Sequence, residues 1–366
     1  MSDLKEKRSF LIFRKDSDIK TVSIILIGFV AAIVLLQIFQ SLAQTGAVVY
    51  PTFISPLNLL NIIMQVTAVG IMAMGMALVM LSGGIDLSVG MMTSLVAIFV
   101  AKAIKDWHMS VTTAIILGIL IPIALETFMG VIIAWLQVEP FIITLGGMIT
   151  CRGIALLICK SQEVTLDHNL DFLKLNLIEG ATTADGLTLR FPLYSLIFLV
   201  IVAIVWFVMK YTKFGRRVYA VGGNPQAAYL SGINVKFIKL TTYMINGLCV
   251  GLGSIMLLSR INSAIITIGQ NKEIDVIAAV VIGGVAMSGG KGNVMGAFLG
   301  AILMGAISNA MNLMRIQSEW QFFVSGMIII VAVAGGAISE RMTAKRAVRD
   351  REESVAKAAK LEQKTE

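Results

Sequence analysis

Residues 57–102 read LNLLNIIMQVTAVGIMAMGMALVMLSGGIDLSVGMMTSLVAIFVAK, and Asp86 is the sole charge before the closing Lys102. A helix needs about 20 apolar residues to cross the hydrocarbon layer of a bilayer, where every backbone amide must be satisfied within the chain. The stretch holds two such runs, 57 to 80 and 85 to 102, separated only by the segment around Ser82-Gly83-Gly84-Ile85-Asp86. So short an interruption leaves a second possibility open, a broken or re-entrant helix.

The whole chain shares this character. Of its 366 residues 57% are apolar, 14% charged and 7% aromatic, and the mean hydropathy is +0.85. Soluble domains carry roughly 25% charged residues, so the apolar excess here must face lipid. That excludes a disordered tail, a secreted disulfide scaffold and an ordinary cytosolic enzyme. Thirty Lys and Arg against 22 Asp and Glu give a net charge of +8. The charges cluster between and beyond the apolar runs, which fits loops against an anionic membrane face and not a nucleic-acid groove. Cys151, Cys159 and Cys249 lie in apolar stretches without C-x-x-C spacing, and His108 and His168 are far apart. Neither set points to a metal site or a disulfide.

The sequence predicts an all-α polytopic membrane protein with about ten transmembrane helices and a short cytoplasmic coupling helix. The spans are 22 to 40, 57 to 80, 85 to 102, 111 to 136, 141 to 159, 193 to 210, 240 to 260, 273 to 287, 293 to 312 and 320 to 338. The first run has no small-residue cleavage site after it and reads as a retained span. Residues 1–21 then form a basic N-terminal tail, 22–338 the transmembrane domain and 339–366 a basic C-terminal tail. Lys and Arg stay on the cytoplasmic side. They crowd the N-terminal tail, the 210 to 239 connection and the C-terminal tail. An even number of spans puts all three in the cytoplasm. The opposite face receives the 160 to 192 loop, where Glu163, Asp167, Asp171, Glu179 and Asp185 outnumber Lys160, Lys174 and Arg190. A loop of that length and polarity is either a solvated connector or a dock for a soluble partner.

Charges inside spans are expensive and therefore informative. Glu126 lies 11 residues before Gln137 on one helix and Arg152 lies 11 residues after Phe141 on the next. Both sit at a similar depth, which predicts that they meet, as a helix-pinning salt bridge or as part of a conduit wall. The spacing S-G-G-x5-G occurs twice, at Ser82-Gly83-Gly84 with Gly90 and at Ser288-Gly289-Gly290 with Gly296. Unwound glycine segments in paired positions are what transporters use to expose backbone groups to a solute. Gly83, Gly84, Asp86, Gly289 and Gly290 are accordingly candidates for a path or gate, with plain helix capping by Asp86 as the simpler role. Gly292, Gly296 and Gly300, and Gly247 with Gly251, repeat every four residues as close-packing faces.

No energy source is written into the chain. The nearest approach to a P-loop ends at Gly290-Lys291, with Val285 where the first glycine belongs and Gly292 where Ser or Thr belongs. Metalloprotease and nucleophile-elbow motifs are absent too. The basic connection contains KFGRRVYAVGGNPQAAYLSGIN, residues 213–234. Asn224 can cap a short helix with Pro225 in first position, Gln226, Ala227 and Ala228 favour its continuation, and Gly232 can end it. Such a stiff, capped helix gives another protein something to push, though an ordinary surface turn has the same spacing.

The stretches LSGGIDLSVG (81–90), PFIITLGGMITCRGIAL (140–156), KFGRRVYAVGGNPQAAYLSGINV (213–235) and EIDVIAAVVIGGVAMSGGKGNVMGAFLG (273–300) resemble the membrane subunit of ribose- and galactoside-type bacterial ABC importers. The resemblance implies a non-enzymatic permease of the inner membrane, with both termini cytoplasmic, that moves a monosaccharide-class solute by alternating access. It implies a homodimer or paired permeases, a cytoplasmic ATPase with two fused halves that holds the ATP and Mg, and an extracytoplasmic solute-binding protein. This chain itself would bind no cofactor, no metal and no nucleic acid. The ATPase-contacting loop of the family falls on Gly223 to Gly232, so Gly223, Asn224, Pro225, Gln226, Ala227, Ala228, Ser231 and Gly232 take that role, flanked by Arg216 and Arg217. Asp86 and Ser88 fall in the family's Gly-rich membrane signature. A permease of the branched-chain amino-acid or nucleoside type is the nearest alternative. An ion-coupled secondary transporter, with Glu126 as its carboxylate, and a passive channel are alternatives of another class.

Overall fold

The computed structural model describes residues 53–334 apart from 54, 161, 183–187, 329 and 332. The expected first span, both tails and the end of the tenth span lie outside the described residues. Helices dominate, and they start where capping chemistry allows. Helix α1 (Pro56–Leu81) begins with Ser55 accepting from the Asn58 amide and Pro56 in its first turn. Helix α2 (Val89–Lys105) follows the glycine-bearing turn, so the stretch 57–102 is two helices and not one. Helix α3 (Val111–Leu136) is capped by Ser110, and α4 (Pro140–Cys159) opens on a proline and ends at Lys160 in the left-handed conformation.

The described residues of the 160 to 192 connection are structured. Strand β1 (Val164–Thr165) leads to a 3-10 turn at Asp171–Lys174 and to a hairpin of β2 (Asn176–Thr182) and β3 (Thr188–Pro192). Helix α5 (Leu193–Tyr211) returns across the bundle, followed by the short α6 (Lys213–Gly223) and α7 (Pro225–Leu230). Helix α8 (Val235–Ile261) precedes strand β4 (Ser263–Ala264), α9 (Lys272–Ile282) and α10 (Val294–Leu313). A further helical stretch covers 318–328.

Six of these helices, α1, α3, α4, α5, α8 and α10, are long and apolar enough to cross a membrane. The span expected at 273 to 287 is different: α9 has 11 residues, about 16 Å at 1.5 Å per residue, half the thickness of a hydrocarbon core. The sequence misleads here because a buried half-helix and a full span share the same run of Val, Ile and Ala.

Helix α1 is the axis of the bundle, with every residue from Thr67 to Leu81 buried except Val69. Helices α3, α4 and α5 turn large apolar groups outward, among them Phe128, Leu157 and Phe207, as lipid-facing helices do. The closest seam joins α3 and α8. A Cβ on Gly247 would lie 2.6 Å from the Pro122 carbonyl oxygen, and one on Gly251 3.0 Å from the Ile119 Cα. The expected packing role of Gly247 and Gly251 is therefore seen directly, with the backbone around Pro122 fitted against them.

The connection between α4 and α5 is tied to the bundle. β1 pairs antiparallel with β4 through Val164 with Ala264 and Thr165 with Ser263. The Lys105 ammonium reaches Thr165 Oγ1 at 3.0 Å and Asp167 at 3.4 Å. Leu166, Leu170 and Leu173 are buried beneath it.

Candidate functional site: a docking element joined to a polar core

On the face bearing the basic connection, Thr212 caps α6 and Asn224 does double duty, ending α6 and capping α7 by accepting from the Ala227 amide at 3.0 Å. Pro225 sits in the first turn, and Gly232 closes the element at φ +78°. Gly223, Asn224, Pro225, Gln226, Ala227, Ser231 and Gly232 are exposed, as are Arg216 and Arg217. Ala228 turns inward and is buried, so it seats α7 on the bundle and offers no outer surface. Sequence reasoning missed α6, whose buried Val218 and Val221 lie three residues apart. It also missed Tyr229 and Leu230, which are 72% and 85% exposed; the signal was two large apolar groups within a basic, water-facing segment.

The docking element meets the two glycine turns at one junction. The Gly290 amide donates to the Leu81 carbonyl at 3.0 Å, joining the end of α1 to the turn between α9 and α10. Gly222, at the end of α6, lies against both: a Cβ there would overlap the Leu81 carbonyl oxygen and come within 2.6 Å of the Gly290 nitrogen. Gly83 and Gly289 have φ of +81° and +85°, and a Cβ on Gly289 would sit 2.8 Å from the Gly83 Cα. The Tyr219 hydroxyl donates to the Gly292 carbonyl at 3.0 Å. The two S-G-G segments thus touch each other, and Gly222 joins them.

Just inside this junction lies a polar cluster buried from solvent. Asp86 does not cap α2 directly. Its Oδ1 accepts from the Ser88 amide at 2.8 Å and the Ser88 hydroxyl at 2.7 Å, folding the turn before the helix. Its Oδ2 accepts from Asn246 Nδ2 at 2.7 Å, and the same amide group donates to Glu126 Oε1 at 3.2 Å. Tyr243 donates to the Ile85 carbonyl at 3.3 Å, and its hydroxyl lies 2.6 Å from where a Cβ on Gly84 would stand. Ser82 and Thr242 share a hydrogen bond of 3.1 Å. Asn246 on α8 is thus the bridge between α3 and the α1–α2 turn.

Glu126 and Arg152 do not meet. Glu126 is fully buried beside Asn246, whereas Arg152 is exposed on α4. The depth argument set the level of each residue but not the rotation of the helix. Thr144, Cys151, Ala155 and Cys159 form the buried stripe of α4, and Arg152, about 100° round the helix from Cys151, points elsewhere. Among the described residues no group of three His, Cys, Asp or Glu could hold a metal ion. The three cysteines are buried and free. What the cluster offers is hydrogen-bonding acceptors, an amide and hydroxyls at depth, the chemistry of a wall along which a neutral polar solute could pass.

Residues 58–333 match the family described as branched-chain amino acid transport system / permease component. The chain is 38% identical to the ribose import permease protein RbsC of Bacillus subtilis, over 78% of this chain and 87% of the relative. It is 35% identical to the galactose/methyl galactoside import permease protein MglC of Escherichia coli, over 90% and 96%. With the xylose transport system permease protein XylH of Escherichia coli it shares 31% identity, over 87% and 93%. No solved structure matches. A helical bundle with a buried polar centre, matched almost end to end by such relatives, belongs to the family of membrane permease components that includes the ribose, galactose and xylose import permeases.

Proposed function

We propose that this chain is the membrane-spanning permease of an importer for a monosaccharide-class solute, driven by a separate cytoplasmic ATPase. One observation carries the reading. The α6–α7 element presents exposed Tyr229 and Leu230 among Arg216 and Arg217, and Gly222 at its root packs on both glycine turns beside the polar core. A force applied to α7 from the cytoplasm reaches the turns that hold Asp86 and the start of α10. Binding of ATP by the partner would move this element and open the bundle alternately to each side. On the outer face, the connection between α4 and α5 would receive a solute-binding protein. Two copies of the chain would share the assembly: Arg152 lies mid-helix and exposed on α4, and a guanidinium left in lipid is costly unless another protein covers it.

The test is reconstitution in liposomes with a candidate ATPase subunit and solute-binding protein from the same organism, and uptake of labelled D-ribose, D-galactose and D-xylose. Accumulation should require ATP and all three components. Uphill accumulation by the chain alone, or uptake that follows a proton or sodium gradient without ATP, would end the proposal. Uptake of leucine but of no sugar would reassign the solute to the branched-chain amino-acid class.

A further inference from the structure

Between α8 and α10 the chain crosses the bundle in two unlike halves. Asn262 ends α8 in the left-handed conformation, and β4 lies at the outer end beside β1. From there the backbone descends along α2 without forming a helix. Ser94 holds it, donating to the Ile266 carbonyl at 2.8 Å and accepting from the Gly269 amide at 3.0 Å. Ser94 is 11 residues before Lys105 on α2, so this anchor lies about 16 Å below the outer end. Only at Asn271, φ +63°, does the chain turn into α9. Non-helical backbone at membrane depth is tolerated where protein buries it or where it lines a wet path, and a half-helix starting at depth marks solute sites in transporters.

Here the break carries an unsatisfied group. Glu273, in the first turn of α9, is 9% exposed, and its Oε2 has no hydrogen-bond partner among the described residues. That oxygen lies over Gly90 on α2, in the space a Cβ would fill, beside the Gly269 carbonyl. Lys272, the neighbouring cation, is engaged by Asp275 at 2.8 Å and leaves Glu273 alone. Thr267 and Gln270, in the same descending segment, are polar and exposed. A buried carboxylate oxygen without a donor is costly, and the neighbouring side chains among the described residues supply none.

We infer that Glu273 is a solute-contact residue within the membrane, whose free oxygen accepts hydroxyl hydrogens of a neutral polyhydroxylated solute when α9 and α2 part at Gly90, with Thr267 and Gln270 on the approach. The inference rests on the permease reading and adds to it a site inside the bundle. Hydroxyl donors supply what the carboxylate lacks. A single carboxylate beside an already paired Lys272 is a poor cage for a metal cation, which seeks six or more oxygens if hard.

The test uses the reconstituted complex. ATP-driven uptake by the wild type is scored first, and its absence would sink the permease reading and not this site in particular. Given wild-type uptake, Glu273→Gln, which keeps the shape, should lower maximal sugar uptake at least 10-fold. ATP hydrolysis should remain within two-fold, and the half-saturating sugar concentration, set by the external binding protein, should not move. A Glu273→Cys variant should react with a charged methanethiosulfonate in one nucleotide state, and the transported sugar should slow that reaction several-fold; the native cysteines are buried and give a low background. Unchanged uptake in Glu273→Gln would overturn the inference. So would a cysteine that never reacts or that sugar does not protect. A sodium requirement lost in Glu273→Gln would assign the carboxylate to a cation and also overturn it.

Discussion

The amide of Gly290 donates to the carbonyl of Leu81 across 3.0 Å, bonding the end of the central helix to a turn more than 200 residues away in sequence. Gly222 packs on that bond from the docking element. A methyl group at this position has no room, because its neighbours are backbone atoms that cannot rotate aside. Gly222→Ala should leave the ATPase bound and hydrolysing while uptake per ATP falls at least 10-fold. Gly146→Ala, where an added Cβ meets nothing within 4 Å, is the matching control. The ratio of sugar moved to phosphate released, measured in proteoliposomes, checks both.

In the proposed complex Tyr229 and Leu230 would supply the apolar contact of α7, and a tyrosine anchor at an interface is worth about 2 kcal/mol or more when truncated. Tyr229→Ala with Leu230→Ser should weaken capture of the ATPase at least 10-fold in a binding titration. The melting temperature of the isolated permease should not change, since both side chains already face water. A substitution at Ala228 would not be informative in the same way: that residue is buried, and a bulky group there dislodges α7 itself.

Asn246 is the sole donor joining Asp86 Oδ2 to Glu126 Oε1 in the hydrogen bonds seen among the described residues. Asn246→Ala removes one amide and strands two buried carboxylate oxygens, a loss on the order of 3 kcal/mol. The detergent-solubilised protein should melt several degrees lower, and Asn246→Gln should not restore it, because a Cβ on Gly75 would already lie 2.6 Å from Asn246 Oδ1 and little space remains for a longer chain.

Arg152 should hold two copies together. Replacing it with Leu makes the outer face of α4 compatible with lipid and should shift the protein toward monomers in a dilution series followed by fluorescence transfer between labelled copies. Retention of the wild-type association would remove Arg152 from the interface.

On the outer loop, Lys174 and His168 beside Asp171 hold its carboxyl below the usual carboxylate range. A lowered folded value means the clip is fully present above the unfolded value and is lost as pH falls through the lowered one. Amide exchange across 168–174 should therefore accelerate relative to the neighbouring helices when the pH is taken from 7 to 3. Asp171→Asn should abolish this pH-dependent change measured relative to the neighbouring helices.

Much of this was legible in the residues. Helix α3 occupies the span expected for it, 111 to 136, because Ser110 and the apolar run leave little choice. Asn224, Pro225 and Gly232 announce α7 with local chemistry alone. What stayed hidden depends on neighbours in space. The half-length of α9 is set by Ser94 holding the preceding backbone open, and no local pattern encodes that. The outward rotation of Arg152 follows from which stripe of α4 is buried. Asn246 and Glu273 were overlooked for opposite reasons: one is uncharged, so it escaped a search for membrane charges, and the other stands where a full span was expected to begin.

The two-rung pairing of Val164 and Thr165 with Ala264 and Ser263 gives the outer surface a leash on the interior. Whatever moves β1 also moves β4, the strand from which the descent toward Glu273 begins. In the proposed importer, a pull on this pairing would pass along the hydrogen-bonded turns of residues 265–271 to the start of α9.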